Sequence, residues 1–259
     1  MSGIVPSLGS LGPPGLFGRA IDTFRDEGVY SFLRIAREFA FHWSVLAYYA
    51  CSYQLRYGET APRTHERQWF DPSEIEYVMN KVLPKDAPPF GVVPGTWDEK
   101  KVHRFEYGVM WKGLLERYEE GKPWPDTQYY QTGMSRLSEG KSLRVLDGDD
   151  QSVEAFESYT AELDRMFENI QSEGFDESAA VPVNVGRDGS LILFADGNHR
   201  TTLAQAAGID SIPTRIVYRH EEWQRVRDEV SRANSYVDLS NDAREYLHHP
   251  DVCELVDFS

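Results

Sequence analysis

Between Ile21 and Tyr57 the large apolar side chains recur as Phe32, Ile35, Phe39, Trp43, Leu46, Ala50 and Tyr53. Steps of three and four line one side of an α-helix. Gly28 predicts a break into a short first helix and a long second one. Residues 1–20, rich in Gly, Pro and Ser, read as a mobile tail. After a polar turn, "WFDPSEIEYVMNKVLP" carries Asp71, Pro72 and Ser73 as the capped start of another helix. "KDAPPFGVVPGTWDEKK" has too much Pro and Gly for regular structure and reads as a connecting loop. Val102, Phe105, Val109, Leu114 and Tyr118 then follow a helical period that Gly121 and Pro123 end. Trp97 with Asp98, and Trp124 with Asp126 and Thr127, are expected to anchor loops through a ring and a hydrogen-bonded acid.

The pattern changes after the acidic "LDGDDQ", Leu146 to Gln151, which is read as a boundary. "FESYTAELDRMFENIQSEGF" is helical and closes at Gly174. Two strands follow, Val181 to Val185 and Leu191 to Ala195, joined through Arg187, Asp188 and Gly189 as a hairpin. A helix from His199 to Ala207, a strand within Ile212 to Arg219 and a further helix complete the order. The expected class is α+β. A mainly helical region 21–150 precedes a domain with a small mixed sheet, 151–225, and 226–259 form a C-terminal helix and an acidic tail.

Charge narrows the partners. Asp and Glu number 42 against 27 Lys and Arg, a formal charge of -15. A phosphate backbone is held by a basic face, so broad nucleic-acid binding is not expected. An acid-rich, Lys-poor surface suits a protein working in concentrated salt, and a halophilic source is expected. Arg19, Arg25, Arg34, Arg37 and Arg56 make the N-terminal helix the basic part of the chain. Its aromatic side is expected to pack into the core; contact of residues 21–57 with an anionic membrane surface is the second reading. The run Phe39 to Leu55 falls short of the roughly 20 residues needed to span a bilayer. Cys51 and Cys253 lack partners at metal-ligand spacing, and neither a signal peptide nor a disulfide framework is expected, so a cytoplasmic location is the default. His248, His249, Asp251 and Cys253 lie in what reads as a lightly docked tail rather than a metal site.

The chemistry concentrates in "LFADGNHRTTLAQAAG", Leu193 to Gly208. A strand ending at Asp196 turns on Gly197 and enters a helix through Asn198, His199, Arg200, Thr201 and Thr202. A first helical turn presents unpaired N–H groups and the positive end of the dipole, which attract phosphate. Arg200 adds a bidentate donor, His199 a donor or proton shuttle, and the two threonines hydroxyls. Ordinary turn chemistry and helix capping account for the same residues without a ligand.

The ordered set "LDRMFENIQSEGF", "VPVNVGRDGSLILFADGNHRTTLAQAAG" and "IDSIPTRIVYRH" resembles the ParB/sulfiredoxin superfamily over about 60 of the 259 residues, from about Tyr159 to Arg219. That resemblance implies binding of a nucleotide such as ATP or CTP, with phosphate contact at Gly197, Asn198, His199 and Arg200. It also implies that Asp196 orients the loop or holds a magnesium ion. Sulfiredoxins carry a nucleophilic Cys before their His-Arg pair, and Asn198 stands there, so peroxiredoxin repair is not expected. The segment after Arg219 is too short and acidic for a helix-turn-helix, which counts against chromosome partition, and no metal site supports a nuclease. Two readings stand. One is a phosphotransferase or NTP hydrolase resembling the free amino acid kinases of this superfamily, with Asp196 and His199 as catalytic candidates and Glu173, Asp176, Asp188 or Glu221 as conceivable bases. The other is a non-catalytic module that senses a phosphorylated ligand. The overall layout is also similar to haloarchaeal proteins associated with cell-surface glycans.

Overall fold

The computed structural model describes residues 13–64, 66–79, 86–100, 102–104, 108–146, 150–194 and 197–256. Two compact units emerge, Met1–Ser52 and Tyr53–Ser259. The described part of the first belongs to one long helix, α1, Pro13–Tyr57. It starts earlier than expected and runs through Gly28 without a break, since one glycine costs only about 1 kcal/mol relative to Ala. Leu46 and Tyr53 are buried, but Phe39 and Trp43 each keep 41% of their surface exposed and pack edge-on against one another.

The second unit is α+β, in agreement with the expected class. Its chain order is β1 Arg67–Phe70, β2 Tyr77–Met79, β3 Gly91–Val93, α2 Trp97–Lys100, β4 Val102–Arg104, α3 Val109–Tyr118, α4 Gln128–Ser138 and α5 Val153–Glu173. Then come β5 Val181–Val185, β6 Leu191–Leu193, α6 Asn198–Ala206, β7 Ile212–His220, α7 Glu221–Arg232, α8 Asn241–Glu245 and α9 Pro250–Cys253. Among the described residues the strands form one seven-stranded mixed sheet, β1-β7-β5-β6-β2-β4, with β3 also paired to β7. β5 runs parallel to β7, while β1 pairs antiparallel with its first half and β3 parallel with its end.

Local chemistry explains the elements of the second half. Ser152 caps α5 by accepting from Ala155 N at 3.0 Å. Phe156, Thr160, Leu163, Phe167 and Ile170 bury one face of α5, and Gly174, at φ 83°, ends it. All five residues of β5 are buried, as befits an interior strand covered on both faces. The ladder between β5 and β7 slips by one residue at Val183/Asn184, and the buried Asn184 repairs the gap by accepting from Tyr218 N at 3.2 Å.

The segment expected to be mainly helical supplies β1 to β4, so the sheet is not confined to 151–225. "WFDPSEIEYVM" is no helix start. Gln68 and Phe70 are buried on a strand that Arg67 and Trp69 leave exposed, and Asp71 caps only a short 3-10 turn, accepting from Ser73 N at 2.8 Å. The expected Pro- and Gly-rich loop contains β3 and α2, and Val102 lies in β4 rather than in the helix ending at Tyr118. The boundary expected at Leu146 to Gln151 is not a division of the chain, and 147–149 lie outside the described residues.

The C-terminal segment is docked rather than loose. Asp251 is buried. It accepts from Arg219 Nε at 2.8 Å, Arg227 Nη1 at 2.7 Å and Trp223 Nε1 at 2.8 Å. Arg219 also donates to both oxygens of Glu66, at 2.8 and 3.0 Å. Burial opposes ionisation of Asp251, yet the charges of Arg219 and Arg227 prevail and hold its carboxyl well below the usual carboxylate range. His249 is engaged too, with Nε2 3.0 Å from Gly189 O and Nδ1 accepting from Asp251 N at 3.1 Å. Removing one member of such a group leaves uncompensated buried charge, so Asp251→Ala is expected to lower stability by about 3–5 kcal/mol in denaturant unfolding. A change below about 1 kcal/mol would contradict this role.

Candidate functional site

The site is built where β6 ends and α6 begins. Gly197 is the N-cap of α6, at φ 117° and ψ -5°, and contributes no side-chain capping hydrogen bond. Two constraints select glycine here. The positive φ disfavours any L side chain, and a Cβ would lie 2.9 Å from Val181 Cγ1 on β5. With no side chain at the N-cap, the amides of Asn198, His199 and Arg200 begin the helix without the usual N-cap oxygen. The first helical bond runs from Thr201 N to Gly197 O at 2.8 Å.

His199 sits among tyrosines from two other helices. Its Nε2 is 2.9 Å from the Tyr159 hydroxyl on α5, and its ring meets those of Tyr159 and Tyr129 edge-on, with centroids 5.6 and 6.4 Å away. Burial lowers its pKa from 6.5 to about 4 and pushes Tyr159 up to about 12. The imidazole is therefore neutral at neutral pH. As a neutral ring it can exchange a hydrogen bond but carries no charge.

Arg200 projects toward the start of β5 and donates from Nη1 to the Ala179 carbonyl. It lines an open cavity of about 490 Å³ together with Ile170, Glu173, Gly174 and Asp176. Asp176 feels the guanidinium, but its hydrogen bonds from Ser178 are the larger cause of its lowered pKa. A carboxylate so stabilised is a weak base.

Not every expected contact is at hand. Thr201 and Thr202 are wholly buried, and Thr202 Oγ1 donates back to Asn198 O at 2.9 Å. Both hydroxyls are thus withdrawn from the surface. Asp196, expected to orient the loop or hold magnesium and a catalytic candidate, lies outside the described residues, and no group of three or more His, Cys, Asp or Glu is placed to hold a metal ion among the described ones. Of the conceivable bases, Glu173 and Asp176 share the Arg200 cavity. Asp188 instead holds the β5–β6 turn through Ser190 N, and Glu221 pairs with Arg225. Sequence reasoning missed Tyr129 and Tyr159. Their helical spacing marks them only as apolar-face residues, with nothing local to tie them to His199.

Two measurements follow. Gly197→Ala is expected to cost roughly 1–3 kcal/mol of stability, whereas a neutral substitution would show the turn to be unstrained. By ring NMR, His199 should titrate near 4 rather than near 6.5. Because the folded value lies below the unfolded one, its contribution to stability is complete above about pH 6.5 and is lost as pH falls towards 4. A protonated ring at pH 6 would contradict the packing described.

No protein-family model matches the chain, and no curated protein or solved structure matches it either.

Proposed function

We propose that the turn from Gly197 to Arg200 binds the phosphates of a nucleotide or of another phosphorylated small molecule, in the manner of a ParB/sulfiredoxin-like domain. The observation that carries the reading is the start of α6. A glycine N-cap without a side chain leaves first-turn amides at the helix entrance, and Arg200 of the same turn lines an open cavity with the C-terminal end of α5. Helix-terminal amides and a planar guanidinium are complementary to a tetrahedral anion. The order of elements that prompted the resemblance is also present. α5 leads through Gly174 to β5, a hairpin to β6, a glycine turn to α6, and a return along β7.

Binding without turnover is the favoured form of this function. Transfer of a phosphoryl group needs a base near the loop. The carboxylate of Asp176 has a lowered pKa, and the neutral His199 is enclosed by Tyr129 and Tyr159. A phosphotransferase or NTP hydrolase is the second reading. In it Asp196 would hold magnesium, which screens phosphate charge when bound, and His199 would accept a proton at Nε2 in place of its bond to Tyr159. ATP and CTP are the first ligands to examine.

Calorimetry in concentrated salt with ATP, CTP, GTP and UTP, with and without magnesium, tests the reading. Arg200→Ala is expected to weaken binding by ten- to hundredfold, the worth of a charge-assisted hydrogen bond. Asp176→Asn, which removes the carboxylate competing for Arg200, is expected to tighten it. Wild-type protein that binds none of these ligands would reduce the turn to a structural element.

A further inference from the structure

We propose that the cavity at the far end of α6 binds a small organic cation of the quaternary ammonium class, seated against the indole of Trp111. The cavity has a volume of about 430 Å³, within the range of about 300–1,000 Å³ typical of small-molecule sites. It lies between the turn after β1, α3 and the loop that carries α6 into β7. The glycine turn and Arg200 are at the opposite end of α6 and contribute nothing to it.

The indole is held in place before any ligand arrives. Trp111 is half-buried, and its Nε1–H donates to Gln205 Oε1 at 2.8 Å. Gln205 Nε2 in turn donates to Pro72 O at 2.7 Å. A ring already fixed costs a ligand little in ordering. The same bonds decide the class of ligand. The indole N–H and the Gln205 amide are engaged with each other and with Pro72, and Leu115 and Ile209 add apolar surface. That wall offers a π-system and hydrocarbon rather than spare hydrogen-bond donors.

Charge supplies the other half of the argument. Asp71, Glu119 and Asp210 line the same cavity and are all exposed, and among the described residues no Lys, Arg or His lines it. A ring quadrupole attracts a cation, and the carboxylates give the cavity a potential that favours cations and turns anions away. They are not gathered around one point: among the described residues no group of three or more His, Cys, Asp or Glu is placed to hold a metal ion. A quaternary ammonium suits this wall. Its charge is spread over methyl groups, it needs no hydrogen-bond partner, and it can meet the ring and the carboxylates together.

Calorimetry of the full chain at constant ionic strength tests the proposal with choline and with 3,3-dimethylbutan-1-ol, the uncharged carbon isostere. Choline is expected to bind at least about tenfold more tightly than the isostere and to shift the Trp111 indole N–H signal in NMR. Trp111→Leu is expected to weaken choline binding by more than about tenfold. The Glu119→Gln, Asp210→Asn double variant, changed only at exposed positions, is expected to keep its melting temperature and to weaken binding roughly three- to tenfold. Wild-type protein that does not bind choline, or binds the isostere equally well, overturns the proposal. Undiminished binding by the double variant overturns it too, and that result can be read even if Trp111→Leu fails to fold.

Discussion

The fold of the second unit depends on a charge carried into the core by β7. Arg219 is only 1% exposed, and a guanidinium in that position is tolerable only if its donors are matched by acceptors. Glu66, just before β1, and Asp251, in α9, provide them. The pairing joins the chain ahead of the first strand, the central strand and the C-terminal segment at a single point. Arg227 and Trp223 on α7 bond the same carboxylate, which sets α7 over the sheet. β7 can then serve three strands, with β1 and β3 on one edge and β5 on the other.

That frame supplies the rigidity the candidate site needs. β5 is wholly buried, and Val181 at its start presses against Gly197, so the position of the turn follows from the position of the strand. Arg200 reaches back to Ala179, just ahead of β5, tying the first turn of α6 to the approach to the same strand. The tyrosines of α4 and α5 close over His199 and keep it neutral. Among the described residues the start of α6 carries one guanidinium, which lines a cavity with an exposed carboxylate, Asp176.

Much of the second half was legible because its signals are local. The apolar spacing of α5, the uninterrupted β5, the Asp188-Gly189 turn and Gly197 each announce an element within a few residues. The first half was not legible in the same way. β2, β3 and β4 have three residues each, too few for a period. They exist because distant partners hold them, as Gln68 opposite Thr214 shows for β1. Asp251 looked like part of an acidic tail since no local pattern reveals that Arg219 awaits it. The state of His199 depended on Tyr129 and Tyr159, which arrive from separate helices. For α1 the periodicity shows that a side is apolar, not what covers it.

The central claim is that the start of α6 is the place where a phosphate is held. Amide NMR of the full chain, titrated with ATP and in parallel with adenosine, tests it residue by residue. The account predicts that ATP moves the backbone amides of Asn198, His199 and Arg200 most, with the Arg200 side chain following, and that adenosine leaves them in place. Unmoved amides at 198–200 in the presence of saturating ATP, or equal shifts with adenosine, would contradict it.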